Sequence, residues 1–273
     1  MQVAGKVVVV TGAGSGIGAA MARRFAAEGA EVVVVADLHA DAAAAVAAEV
    51  AGVAEVGGVA EVGGVAEALD VCDADAVASL VHRTIERFGR IDLFCSNAGI
   101  ATGVQLDDPG DAWHKAFDVH VMSHVYAARA LVPHLLERGT GYLLNTASAA
   151  GLLTAPGDAP YTVSKHGAVA FAEWLAVTYG GRGIGVSVLC PLGVATPLLM
   201  EPLAAGNAGA RAVAASGEIV TAEQVADAVV TGLAAERFLI LPHPQVGTFW
   251  AQKAADPDRW LAGVRRLVSR EDA

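Results

Sequence analysis

Val7-Val8-Val9-Val10-Thr11-Gly12-Ala13-Gly14-Ser15-Gly16-Ile17-Gly18 decides the fold. Four consecutive valines make a short apolar run of buried-strand length. The glycines that follow let the backbone turn tightly, and the helical pattern of Gly18–Glu28 begins at once. A helix that opens on such a turn presents free N–H groups and the positive end of its dipole, which suits a pyrophosphate. The spacing is TGxxxGxG rather than strict GxGxxG, and no GxxxxGK[ST] occurs, which disfavours a P-loop NTPase. A structural turn is the alternative reading; its place directly after a first strand favours nucleotide binding.

Outward from this unit, strand-like runs alternate with helical patterns. Glu31–Ala36 reads as a strand, Asp41–Val50 as a helix, Ala66–Val71 as a weak strand, Ala74–Phe88 as a helix and Ile91–Ser96 as a strand. Asp111–Glu137 reads as one long amphipathic helix with Pro133 near its end. Tyr142–Thr146 and Gly185–Cys190 read as strands on either side of the helix Ala159–Tyr179. Thr221–Ala235, opened by a capping box of Thr221 with Gln224, and Phe238–Leu241 close the series. This alternation predicts an α/β fold, with parallel strands and right-handed helical crossovers covering both faces of the sheet.

Two stretches break the rhythm. AEVAGV, AEVGGV, AEVGGV and AEALDV repeat across Ala48–Val71. So few rungs cannot support a β-helix, so the repeat reads as a local duplication lengthening one connection. Ala195–Gly217, rich in Ala and Gly, follows a strand end, where open α/β sheets bind ligands. It is expected to be a lid, with a plain surface loop as the alternative. The tail 242–273 holds Trp250 and Trp260 and is expected to pack on the body, residues 1–241, or on a neighbouring subunit.

The chain has 273 residues, of which 54% are hydrophobic and 17% charged, with a mean hydropathy of +0.48. It is too apolar for disorder and long enough for a large core. No apolar run reaches transmembrane length, and the N-terminus does not read as a signal peptide. A net charge of −11 argues against nucleic acid or anionic membrane as a main partner. Cys72, Cys95 and Cys190 show no metal-ligand spacing and read as reduced thiols, which points to a cytoplasmic protein. The histidines at 39, 82, 114, 124, 134, 166 and 243 form no metal-binding pattern and read as surface or packing residues, so no catalytic metal is expected.

Asp37 ends the second strand, 19 residues beyond Gly18, where a carboxylate can accept from ribose hydroxyls and repel a 2′-phosphate. No Arg or Lys follows closely, which favours NAD over NADP; a solvated turn aspartate is the alternative. Tyr161 and Lys165 lie four residues apart on one helix face, so an ammonium near the phenol would favour phenolate. Such a tyrosine can exchange a proton with an alcohol or carbonyl. Ser148 follows one strand end and Asn97-Ala98-Gly99 another.

With TGAGSGIG at 11–18, Asp37, Asp70-Val71, SNAG at 96–99, Ser148, YTVSK at 161–165, and Pro191 with Thr196, the chain resembles the short-chain dehydrogenase/reductase family over about residues 1–241. The resemblance implies a single doubly wound Rossmann domain with a seven-stranded parallel sheet, in a homodimer or homotetramer. It implies Tyr161 as general acid/base, Lys165 lowering its pKa and binding the nicotinamide ribose, and Ser148 orienting the substrate oxygen. It assigns cofactor contacts to Gly12, Ser15, Gly16, Ile17 and Gly18, to Asp37, and to Asp70 and Val71 at the adenine. Asn97 would lie by the ribose, with Ala98 and Gly99 also among the cofactor contacts, and Val194 and Thr196 would hold the carboxamide.

Two positions depart from the family pattern. Asp118-Val119-His120 stands where the family has a helical Asn that supports a water leading protons from the lysine. Three readings are open: His120 relays protons itself, it weakens the relay, or it is a tolerated substitution. Pro191-Leu192-Gly193 displaces the family's Pro-Gly by one residue. The expected surroundings of the substrate are apolar: Leu152, Leu153, Ala155, Leu192, Leu198, Leu199 and Met200. The reading is an NAD-dependent oxidoreductase acting on an apolar secondary alcohol or ketone. Alternatives are an NAD-binding sensor or scaffold, or an epimerase or dehydratase on a related fold.

Overall fold

The computed structural model describes residues 1–51, 54–56, 59–106 and 108–271. The chain runs β1 (Val7–Thr11), α1 (Gly16–Ala27), β2 (Val32–Asp37), α2 (Ala40–Ala51), β3 (Ala54–Val56), β4 (Val59–Glu61) and β5 (Gly63–Ala68). It continues through α3 (Ala74–Phe88), β6 (Leu93–Ser96), α4 (Asp111–Phe117), α5 (Ser123–Arg138), β7 (Gly141–Thr146), α6 (Ala159–Tyr179) and β8 (Ile184–Leu189). It ends with α7 (Pro197–Ala204), α8 (Ala208–Ala215), α9 (Ala222–Ala234), β9 (Leu239–Ile240), α10 (Gln245–Ala255) and α11 (Pro257–Glu271).

Seven strands form one parallel sheet in the order β5-β2-β1-β6-β7-β8-β9. The chain winds outward on one side of β1 and then returns to wind outward on the other. This reversal between β1 and β6 opens a crevice at the carboxyl ends of the strands. Alternate residues of β1 enter different cores. Val8 and Val10 pack with Met21 and Phe25 of α1 and Val225 of α9, whereas Val7 and Val9 pack with Leu80 of α3 and Leu131 of α5. Among the described residues no helix is long and apolar enough to cross a membrane.

The structure departs from the sequence expectations in several places. β5 spans Gly63–Ala68 rather than Ala66–Val71. A Cβ on Gly64 would stand 2.0 Å from the Ala47 carbonyl oxygen, so the glycine that weakens the strand signal is what lets α2 lie on β5. In the duplicated segment, β3 and β4 pair as an antiparallel hairpin outside the main sheet; positions 52, 53, 57 and 58 lie outside the described residues. The expected long helix is interrupted by a π-helical turn, Asp118–Met122, and Pro133 sits inside α5. A one-residue insertion of this kind leaves the amphipathic pattern almost intact. The expected lid stretch, Ala195–Gly217, contains the helices α7 and α8. In the tail, α11 packs on α10 and on α8.

Candidate active site

A cleft of about 720 Å³ opens at the crevice. Gly12, Ser15, Gly16, Ile17, Gly18, Asp37, Asp70, Val71, Asn97, Ala98, Gly99, Ser148, Tyr161, Lys165, Val194 and Thr196 all line it. Tyr161 and Lys165 are carried by α6; the others lie at or just beyond the carboxyl ends of six different strands, so the sheet brings them together. His120 lies outside the lining, fully buried in the π-helical turn.

At one end the glycine turn meets α1. A Cβ on Gly18 would stand 2.1 Å from the Gly12 carbonyl oxygen and 2.7 Å from Asn97 Nδ2, so only glycine allows this close packing. Gly16 has φ +51°, which glycine adopts freely. Ser15 caps α1 without a side-chain hydrogen bond, and the first turn holds no acidic residue. The dipole end of α1 is therefore open to an anion. Asp37 Oδ2 accepts from the Gly14 N–H at 2.9 Å, tying the turn to the end of β2. Asn97 donates through Nδ2 to the Thr11 carbonyl at 3.0 Å, joining the two strands that flank the crevice. Asp70 Oδ1 accepts from the Cys72 N–H at 2.9 Å in the turn after β5.

At the other end, Lys165 is 3% exposed, and its Nζ donates to the Thr146 carbonyl at 3.1 Å. It lies 5.6 Å from the centre of the Tyr161 ring. Burial lowers the Lys165 ammonium to about 8. Burial also raises the Tyr161 phenol above its ordinary value, against a hydrogen bond from Ser148 that lowers it. The sequence predicts a phenol made more acidic by the cation; in the structure the phenol is raised instead, with burial the largest cause. Ser148 opens the short turn Ala149–Gly151, accepting from the Ala150 N–H at 3.2 Å, and its hydroxyl donates to the Pro191 carbonyl at 3.4 Å.

His120 has both ring nitrogens engaged. Nε2 accepts from the Ile100 N–H at 3.0 Å, and Nδ1 faces Ser164 Oγ at 2.8 Å. Ser164 in turn donates to the Pro160 carbonyl at 2.7 Å, which fits a neutral imidazole with its proton on Nδ1. Burial first, then the Lys165 charge, holds His120 well below the ordinary imidazole range. A Cβ on Gly99 would stand 3.6 Å from Lys165 Nζ and 3.7 Å from His120 Nε2, so Gly99 leaves the space between them open.

Of the expected apolar surroundings, Leu192, Leu198 and Leu199 line the cleft. Leu152 and Leu153 are instead buried in the core, and Met200 is exposed. Two contacts were missed by sequence reasoning. His243, read as a surface or packing residue, is buried and bridges Leu192 and Gly193. Lys253 of α10 donates to the Leu152 and Leu153 carbonyls. Each acts on residues 50 or more positions away, and no local pattern announces either one.

Residues 6–207 match the sequence model of the short chain dehydrogenase family. The chain is 36% identical over 266 residues to a 1-deoxy-11-beta-hydroxypentalenate dehydrogenase of Streptomyces avermitilis, covering 96% of this chain and 93% of that protein. It is 35% identical over 233 residues to a 2-(R)-hydroxypropyl-CoM dehydrogenase of Xanthobacter autotrophicus, covering 82% and 90%. The crystal structure of a short-chain dehydrogenase/reductase from Burkholderia phymatum in complex with NAD superposes with a TM-score of 0.82 at 31% identity, covering 94% of this chain and 96% of that one. Glycine turn, sheet order and cleft agree with this match across most of the sequence, and the chain belongs to the short-chain dehydrogenase family.

Proposed function

We propose that the protein is an NAD-dependent oxidoreductase that moves hydride between NAD(H) and an apolar secondary alcohol or ketone. The carrying observation is that Ser148, Tyr161 and Lys165 line the same cleft as the open N-terminus of α1 and Asp37. The named activities of the relatives and the NAD of the solved neighbour support it. The residues fit the cofactor. The glycine turn makes a cradle that side chains would fill, the α1 dipole suits a diphosphate, and the Asp37 carboxylate disfavours a 2′-phosphate. Asp70 and Val71 would hold the adenine, Asn97 the ribose with Ala98 and Gly99 as further cofactor contacts, and Val194 and Thr196 the carboxamide.

A nicotinamide cofactor held there would supply the hydride chemistry. Tyr161 takes the hydroxyl proton in oxidation and gives it to the carbonyl in reduction. Lys165 supplies the positive charge that favours the phenolate. Ser148 holds the reacting oxygen by hydrogen bonding. His120, neutral and engaged at both nitrogens, braces Ile100 and Ser164 rather than relaying protons. Ile100, Leu192, Leu198 and Leu199 in the cleft support an apolar substrate.

The protein works in the cytoplasm as a homodimer or homotetramer. Three free thiols, two of them buried, suit a reducing compartment. On α6 the half-exposed Trp174 stacks on Phe171 beside the exposed Val177, an apolar face suited to self-association. The test is NADH formation, read at 340 nm, from a panel of apolar secondary alcohols with NAD⁺ and NADP⁺. Steady turnover with NAD⁺ is expected. Cofactor binding without turnover favours the sensor reading.

A further inference from the structure

Two side chains of the C-terminal segment hold the backbone of two segments that adjoin Ser148. His243 lies between β9 and α10 and is 1% exposed. Its Nδ1 accepts from the Leu192 N–H at 3.1 Å, and its Nε2 donates to the Gly193 carbonyl at 3.0 Å. One imidazole thus satisfies a donor and an acceptor of the loop that departs from the family pattern. The preceding residue of that loop, Pro191, accepts at its carbonyl from the Ala149 N–H at 2.8 Å and from the Ser148 hydroxyl at 3.4 Å. Lys253 Nζ donates to the Leu152 and Leu153 carbonyls, each at 2.8 Å, where the turn opened by Ser148 ends. One contact holds the loop whose carbonyl accepts from Ser148, and the other holds the end of the turn that Ser148 opens.

We propose that His243 and Lys253 are positioning residues for Ser148, so that the segment after β9 sets the place of the hydroxyl that meets the substrate oxygen. This rests on the role given to Ser148 above. Ser148 Oγ donates to the Pro191 carbonyl at 3.4 Å and accepts from the Ala150 N–H at 3.2 Å, so its place depends on both the loop and the turn. A shift of about 1 Å in such a group can cost about 100-fold in rate. Leu192 also lines the cleft, so the same imidazole fixes part of the apolar wall.

The test pairs kinetics with hydrogen exchange on the full chain. His243→Leu removes acceptor and donor together; His243→Gln restores one of each on a single amide. Lys253→Met and Lys253→Arg form the second pair. The Leu and Met variants should lose at least about tenfold in kcat/KM for the alcohol. NADH affinity should stay within about threefold, and the Gln and Arg variants should recover most of the loss. In a Ser148→Ala background, His243→Leu should have little further effect, because residues acting through one group are not additive. Full additivity, or no loss in either single variant, overturns the proposal.

Exchange decides the point independently of turnover. The Leu192 and Ala149 amides should exchange at least about tenfold faster in His243→Leu than in the wild type. If the wild type oxidises no alcohol, the proposed function fails and exchange alone judges the clamp. Unchanged exchange at both amides overturns it. Should His243→Leu not fold, Lys253→Met with its Arg partner carries the same comparison.

Discussion

His120 stands edge-on to Tyr161, with ring centroids 5.3 Å apart and planes at 86°. The imidazole therefore braces the phenol from the side, while both of its nitrogens are committed to Ile100 and Ser164. A group held neutral in this way fixes positions and does not titrate near neutrality. The Asn variant, His120→Asn, is expected to lower kcat modestly and leave the shape of the pH–kcat profile between pH 5.5 and 8 unchanged. His120→Ala is expected to lose about 1–3 kcal/mol of stability, because a buried N–H is left without its acceptor. An acid limb that vanishes in the Asn variant contradicts the brace and restores the relay.

Lys165 is stabilised poorly as a cation by its surroundings. Its folded value of about 8 lies below the unfolded value of about 10.4, so burial of the charge costs stability below pH 8. That cost is relieved as pH rises from about 8 to about 10.5. Lys165→Met is expected to raise Tm at pH 7 by about 3 °C or more and to lower kcat at least about 100-fold. The advantage in Tm should shrink across the alkaline window. Thermal melts from pH 6 to 10.5 on both proteins check the sign; a variant less stable at pH 7 contradicts it.

Asp92, near the start of β6, accepts from Arg138 Nη2 at 2.8 Å and from Arg90 Nε and the Val7 N–H at 2.9 Å each. Burial works to raise this carboxyl, but Arg138, the Val7 N–H and Arg90 together hold it below the ordinary aspartate value. The stability it contributes is present above about pH 4 and lost as pH falls through the folded value. Asp92→Ala is expected to cost about 3 kcal/mol at pH 7 and progressively less in acid. Urea titrations at pH 7 and pH 3 measure both; an equal loss at the two values rules the charge out as the cause.

Asp37 is expected to set cofactor choice. Asp37→Ser removes the carboxylate that repels a 2′-phosphate and accepts from ribose. The ratio of kcat/KM for NAD⁺ over NADP⁺ should fall by at least about tenfold, the worth of one charge-assisted hydrogen bond. A ratio that stays unchanged contradicts this role.

Much of the site was legible because its signals are local. The glycine turn, the four-residue spacing of Tyr161 and Lys165, and the residues at strand ends each carry their meaning within a few positions, and the alternation of strands and helices brings them to one cleft. What escaped notice is either small or remote. The π-helical turn at Asp118–Met122 adds one residue to a helix pattern, and Gly63 and Gly64 hide the start of β5 behind poor strand propensity. Leu152 and Leu153 read as substrate wall from the sequence because apolar residues look alike in a core and in a pocket wall, yet both are buried in the core. His243 and Lys253 act through space, across 51 and 101 residues, where spacing carries no information.

The most direct measurement of the central claim is Tyr161→Phe, which removes one oxygen and leaves the ring in place. NADH affinity, followed by fluorescence titration, is expected to stay within about threefold of the wild type, while kcat for alcohol oxidation falls by about 100- to 10,000-fold. Turnover within a few fold of the wild type, with the cofactor bound as before, would contradict Tyr161 as the group that exchanges the proton.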